Sequence, residues 1–375
     1  MKPTLRTGVL AALAAALVTV TLAGRAASAD PGPEKKDVDA VVAKARDFLK
    51  TRQAEDGSFS TKLGGPGITA LIAAGLVRNG VSADDPLVAR TLAYLEKSIK
   101  KDGGIYDKGL ANYTTCVALL AFKDANTKGK YDTVIANASK FLKTLQPDEA
   151  LIEDKDVKAG GVGYEGGKDR PDLSNTQYFV EALIAAGVPR TDPAIQRALK
   201  FISRCQNLPG ETNDQPFAKK TSDDDKGGLT YNPIANDKNP NLTAAGGLRS
   251  SGVMTYAGLK SFLHAGVDKN DQRVKAAVDW IRRHYSLDEN PGQGKAGLYY
   301  YYHTFGKSMT ALGEDQFEDK DKKKHDWRME LFQALKSRQQ KDGSWANDNV
   351  AFFENNPDLA TAYALLALSY CRPAK

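Results

Sequence analysis

The sequence predicts an all-α protein of six helical hairpins arranged as two concentric rings. Three observations carry this reading. Apolar residues recur at helical spacing along the chain, the helical segments alternate between a charged type and a small-residue type, and Gly- and Asp-rich turns separate them.

Taken in order, "VDAVVAKARDFLKTRQAEDGSF" places Val38, Val41, Val42, Ala45, Phe48 and Leu49 on one helical face and breaks at Asp56-Gly57. "GITALIAAGLVRNG" follows, with Ile68, Leu71, Ile72, Gly75 and Leu76 at i, i+3, i+4, i+7 and i+8, and stops at Asn79-Gly80. The pattern recurs as "LVARTLAYLEKSIKKDGGIY" with "NYTTCVALLAF", and as "VIANASKFLKTLQ" with "NTQYFVEALIAAG". It recurs again as "AIQRALKFISRCQ" with "MTYAGLKSFLHAG", and as "RVKAAVDWIRRHY" with "GLYYYYHTFGKSMTALG". The last pair is "WRMELFQALKSRQQKDGSW" with "TAYALLALSYC".

The first helix of each pair shows one polar face and suits an outer ring; the second is rich in Ala, Leu, Gly and aromatics and suits an inner ring enclosed by protein. Six pairs of this kind close into an α/α toroid or stack as an open solenoid, since both have the same local signature. Segments from inner to outer helix, such as "NGVSADDP" and "GVPRTDP", are short, whereas those from outer to inner are long and rich in Gly, Asn and Asp. The long loops gather at one end, and residues 206–247 and 346–358 are expected to be the longest irregular stretches. A functional site is expected at that mouth.

The N-terminus reads as a secretory signal peptide over residues 1–29: Lys2 and Arg6 precede an apolar run from Gly8 to Gly24 and an Ala27-Ser28-Ala29 cleavage pattern. A short linker, 30–37, would then precede one toroid domain, 38–375. The expected location is periplasmic or extracellular, and no later stretch approaches the roughly 20 apolar residues of a membrane helix. Cleavage removes Lys2, Arg6 and Arg25 and lowers the formal charge of +6 to +3. Nucleic-acid binding is excluded by the lack of a concentrated basic face, because the densest run, Lys320–His325, is interrupted by Asp321 and reads as a solvated loop. Cys116, Cys205 and Cys371 read as buried fillers.

"FLKTRQAEDGSF" and "ALKSRQQKDGSW" carry an aromatic or aliphatic helix, a Gln and then Gly-x-aromatic. In this the chain resembles the prenyltransferase and squalene cyclase (terpenoid cyclase) repeat family. The resemblance implies a closed toroid, six being the number of hairpins that closes there. Physically, the Gly supplies a turn, the aromatic ring packs back onto the hairpin, and the Gln bonds free helix-end groups. The phrases "GGLRS", "MTYAGLKS" and "LYYYYHTF" further resemble exported bacterial repeat proteins of undefined chemistry.

Cyclases of the family protonate their substrate from the middle Asp of a D-x-D-D segment. The matching stretch here is Asp172-Leu173-Ser174-Asn175, with Ser174 in the acid's place, and a hydroxyl does not protonate an alkene. Ser174-Asn175-Thr176-Gln177 reads instead as a capping box, with Pro-Asp-Leu as an entry device repeated at residues 357–359. Zinc enzymes of the family place their His in a Y-H-T segment, like Tyr302-His303-Thr304, but Gly252, Val253 and Met254 stand where the other ligands would be. No metal and no cofactor are expected.

Four consecutive tyrosines, Tyr299–Tyr302, must point all round their helix, so some face the lumen. Arg249 at an inner-helix entrance suits an anion clamp or a salt bridge to Asp172 or Asp358. "SDDDKGG" reads as a solvated acidic loop. The expected function is binding of an isoprenoid or another elongated apolar ligand in the lumen, with Asn175, Arg249, Tyr299 and Tyr302 as ligand contacts. Any proton transfer would fall to His303 or Asp172. Prenyl diphosphate chemistry is disfavoured by export. A carbohydrate-active toroid enzyme (lyase or hydrolase) and a non-catalytic interaction scaffold are the alternatives.

Overall fold

The small-residue segments form an inner ring of helices and the charged segments an outer one. In the computed structural model, which describes residues 32–147, 156–167 and 170–372, the outer helices are α1 (Lys35–Arg52), α4 (Pro86–Lys97), α6 (Asp132–Leu145), α8 (Pro193–Arg204), α10 (Gln272–Arg283) and α12 (Trp327–Arg338). The inner helices are α3 (Gly67–Arg78), α5 (Ala111–Asp124), α7 (Leu173–Ala185), α9 (Gly252–His264), α11 (Leu298–Leu312) and α13 (Pro357–Cys371). A single turn, α2 (Thr61–Gly64), precedes α3. The leader expected at residues 1–29 lies outside the described residues. The first turn of α1 falls within the stretch expected to be a linker.

The inner ring closes. Each inner helix packs on the next, and α13 packs back on α3. Two residues make that last contact close: a Cβ added at Gly75 would lie 2.9 Å from Leu365 Cβ, and Asn79 Nδ2 donates to the carbonyls of Gly75 and Leu365 at 2.7 Å each. The sequence pairs each outer helix with the inner helix that follows it, but in space α3 packs chiefly on α4, α5 on α6, α7 on α8 and α9 on α10, while α12 packs on both α11 and α13. The short loops set these hairpins, because they leave no length for another partner. Displaced by this one-helix shift, α1 packs on α13.

The Gln and Gly of the repeat motif join neighbouring outer helices. Gln53 Nε2 donates to the carbonyls of Gly57 (3.2 Å) and of Leu87 on α4 (3.0 Å). Gln146 bonds Gly160 and Ala194 on α8, Gln206 bonds Gly227 and Arg273 on α10, and Gln339 bonds Gly343 and Val41 on α1, all at 2.8–3.0 Å. Glycine is required at Gly343, where φ is +93° and an added Cβ would meet the Lys44 carbonyl oxygen at 2.3 Å. A second device was not read from the sequence. The amides of Phe59, Ile105, Val162, Leu229 and Trp345 donate to the hydroxyls of Thr69, Thr115, Thr176, Thr255 and Thr361 on the inner helices, at 2.9–3.1 Å.

Three loop expectations are corrected. The irregular stretch before α13 is 339–356, since Pro357 already lies in the helix. The Lys320–His325 run is not simply solvated: Phe317–Glu318 (β1) pairs antiparallel with Lys324–His325 (β2), and His325 is buried between Asp319 (3.0 Å) and Glu330 (2.9 Å). In the acidic loop, Asp225 is an organiser, accepting from the Ser250 amide at 2.7 Å. All three cysteines are buried and free. Among the described residues no helix is long and apolar enough to cross a membrane.

The seam at α1 gives a direct test. Gln339→Ala removes the two donations to the Val41 and Gly343 carbonyls and is expected to lower the unfolding free energy by about 1–3 kcal/mol. Gly343→Ala is expected to lose more, at least about 3 kcal/mol, because backbone collision adds to left-handed strain. Urea unfolding of the two variants should show that order.

Candidate functional site

The N-terminal halves of the inner helices meet over the ring axis through four tyrosines. Tyr113 (α5) and Tyr178 (α7) pack edge to face with centroids 5.6 Å apart, Tyr178 stacks with Tyr300 (α11) at 6.2 Å, and Tyr300 tilts against Tyr363 (α13) at 5.3 Å. The Tyr113 and Tyr363 hydroxyls, 3.1 Å apart, complete the quartet across α3. Two of the six inner helices, α3 and α9, contribute no ring at this level. Ser174 Oγ bonds the Tyr300 hydroxyl at 2.9 Å and is only half-buried, as are Tyr113 and Tyr300. These hydroxyls form the floor of a cup that opens to solvent at the mouth.

Carboxylates from the long loops cap the helices around this floor. Glu165 accepts from the Leu110 amide at 2.6 Å, ahead of α5. Glu354 accepts from the Tyr299 and Tyr300 amides at 3.1 and 2.7 Å, at the start of α11. Asp358 on α13 accepts from Arg52 Nε at 3.0 Å and from Ser60 Oγ at 2.6 Å. Asp172 caps α7 itself, accepting from the Asn175 amide and Asn175 Nδ2 at 2.8 Å each and from the Tyr231 hydroxyl. The capping box expected at Ser174 is therefore corrected: the earlier acid holds the cap, freeing Ser174 to face the axis. At α13 the cap is Asn356, accepting from the Leu359 amide at 3.1 Å, so Pro-Asp-Leu is not a shared entry device.

The expected site residues divide accordingly. Burial pushes the Asp172 carboxyl up to about 6, against the pull of its Asn175 and Tyr231 donors. Asn175 is buried as its partner. Tyr299 and Tyr302 turn away from the axis and bond the Ala346 and Leu287 carbonyls at 3.3 and 2.5 Å, because successive helical residues step about 100° round the axis. Tyr300 is the one of the four that faces inward. Arg249 is exposed and takes part in neither expected salt bridge, since Asp358 pairs with Arg52 and Asp172 with Asn175 and Tyr231. His303 does face inward, stacked against Tyr363 and Tyr370 at 6.0 and 6.2 Å, and is almost wholly buried.

Below the quartet the C-terminal halves of the helices carry charge. Lys260 (α9) donates to Glu181 (α7) at 2.8 Å and to Gln177 Oε1, and Lys307 (α11) donates to the other oxygen of Glu181. Arg78 (α3) bonds Asp124 (α5) at 2.6 Å and the Tyr370 hydroxyl (α13) at 2.9 Å. Gln177 Nε2 reaches up to the Tyr300 hydroxyl at 3.4 Å, linking the two layers. Burial alone would raise the Glu181 carboxyl, but Lys260 and Lys307 hold it well below the usual range. Burial lowers Lys260 to about 8 and pushes His303 well below the usual imidazole value. The signal for this layer was present in the sequence as one charge in each small-residue helix: "YFVEALIAAG", "AGLKSFLHAG" and "HTFGKSMTALG".

Residues 63–223 match the family model described as squalene-hopene cyclase C-terminal domain. Over these residues the chain is similar to that family. Among solved structures, a D-mannose isomerase is similar at 14% identity, covering 90% of this chain and 97% of its own, with a TM-score of 0.56. A novel alpha-amylase from Clostridium perfringens is similar at 12% identity over 88% of this chain and 97% of its own, with a TM-score of 0.53. A type II terpene cyclase from Scytonema in complex with merosterolic acid A matches at 13% identity over 90% and 97%, with a TM-score of 0.47. These likenesses concern the α/α toroid fold alone. No curated protein sequence matches the chain.

The raised Asp172 carboxyl predicts a pH dependence. Its folded value of about 6 lies above the ordinary 3.8, so the folded protein binds the extra proton between these values. The associated stability is complete below about 3.8 and is lost as pH rises through about 6. Asp172→Asn, which keeps a capping oxygen, should abolish that part of the stability-pH slope between pH 4 and 6. Asp172→Ala should destabilise by about 1–2 kcal/mol at pH 7 through the lost cap.

Proposed function

We propose that the protein is an exported binding protein whose mouth cup holds a neutral, hydroxyl-bearing ligand of the carbohydrate class, without a cyclisation step. The observation that carries this is the Ser174–Tyr300 hydroxyl pair in the half-exposed floor, set among tyrosine faces. A sugar ring presents C–H faces that pack on aromatic rings and hydroxyls that exchange hydrogen bonds with Ser and Tyr. The carboxylates around the mouth disfavour an anionic ligand such as a diphosphate. Cyclisation is disfavoured on the same geometry: position 174 faces the axis with a hydroxyl in place of an acid, and the Asp172 oxygens are already engaged by donors.

An elongated apolar ligand running down the axis would have to displace the tyrosine quartet and reach the Glu181 and Lys260 charges. A second, isoprenoid reading therefore rests on a different feature. Val350, Phe352 and Phe353 are 70, 58 and 61% exposed on the loop beside α11, and Phe352 packs on Gly297 at its start. An isoprenoid would lie across this rim, outside the lumen. In the carbohydrate reading the site residues are Ser174, Tyr300 and Tyr113, with Asp172 and Asn175 as the frame behind them.

Calorimetric titration with a panel of neutral oligosaccharides and with geranylgeraniol in mild detergent separates the readings. A saccharide is expected to bind, and Tyr300→Ala or Ser174→Ala to weaken it about tenfold or more, equivalent to about 1.4 kcal/mol. Binding of geranylgeraniol alone, lost on replacing Phe352 and Phe353 by Ser, would overturn the carbohydrate reading in favour of the second.

A further inference from the structure

The charged layer in the lower lumen is out of balance. Among the described residues, Arg78, Lys260 and Lys307 pair there with two acids, Asp124 and Glu181, and Glu181 is shared between both lysines. His303 sits directly above Lys307 on the same face of α11, one helical turn away, and neither of its ring nitrogens has a hydrogen-bond partner although the residue is 3% exposed.

A buried imidazole with two unpaired nitrogens and an excess of buried cations are each unfavourable. Both deficits are met by one kind of group, an oxyanion that accepts from the imidazole N–H and from the neighbouring ammoniums. The geometry points to a small-anion site in the lower lumen, in which His303, Lys307 and Lys260 hold a carboxylate-sized oxyanion. The Arg78 and Asp124 side chains, at the last residues of α3 and α5, are 18 and 21% exposed, so the edge of the layer meets solvent at the C-terminal end of the inner ring, away from the tyrosine cup. The partial negative charge of the inner-helix C-termini explains why cations collect there, and the surplus of cations over acids explains why an anion follows them. This site is independent of the ligand proposed for the mouth.

The probes are sodium formate, acetate and phosphate, added to the full-length mature protein against sodium chloride at equal ionic strength. Formate or acetate is expected to raise the melting temperature saturably and to move the His303 ring resonances in nitrogen-15 spectra. Lys307→Met removes the surplus cation while leaving the Lys260–Glu181 pair, and is expected to weaken the probe response by at least about tenfold. Glu181→Gln increases the surplus and is expected to strengthen it. Wild-type protein whose melting temperature and His303 resonances are the same in formate, acetate, phosphate and chloride would overturn the proposal. So would a response that survives unchanged in Lys307→Met. Tyr300→Ala, in the mouth cup, is expected to leave the anion response intact, which keeps the outcome separate from that of the carbohydrate titration.

Discussion

Every outer helix that ends in the motif glutamine is fastened to the start of the next outer helix by that one side chain. The amide of Gln53, Gln146, Gln206 or Gln339 supplies two donors, one for the carbonyl of its own turn glycine and one for a carbonyl on the neighbouring helix. No apolar contact fixes a helix end so closely, since burial is non-directional and a hydrogen bond is not. The glycine has to be a glycine for the same reason, because the neighbouring backbone occupies the space of its Cβ. With the outer ring held in this register, the inner helices present their N-termini together at one end and their C-termini together at the other. The aromatic and charged layers of the lumen are consequences of that alignment.

The lumen is therefore not a uniform apolar tunnel. Hydroxyls and rings occupy the upper level, and ammonium and carboxylate groups the lower, with Gln177 touching both. The small residues of α3 and α9 at the upper level are what allow rings from the other four helices to meet over the axis.

Ring membership was legible because it depends on composition and period: Val38 to Leu49 mark a one-faced outer helix, and Ile68 to Leu76 a helix buried on all sides. Closure was not legible, because the residues that make it, Gly75 and Asn79 against Leu365, look locally like any small-residue helix end. In the candidate site, Asp172, Asn175 and His303 were found by residue type, but their roles depend on rotation about the helix axis. A run of four tyrosines hides that rotation. Lys307, four residues beyond His303, would have revealed it, because a lysine in a small-residue helix has to find a carboxylate across the lumen, and Tyr300 lies on the same face one turn earlier. The loop carboxylates Glu165 and Glu354 were missed because each caps a helix about 55 residues away in the chain, beyond the reach of any local pattern.

The displaced pairing of the helices bears on how the molecule comes into being. Since α1 packs on α13, and Arg372 near the C-terminus bonds Asp39 at 2.6 Å, the first of the described helices to emerge during synthesis has its partner in the last. Its apolar face, Val38 to Leu49, stays unsheltered until nearly the whole chain is present. A contact of such long sequence separation forms late and slowly. A ring whose two ends complete each other postpones its own closure until its last helix has been made.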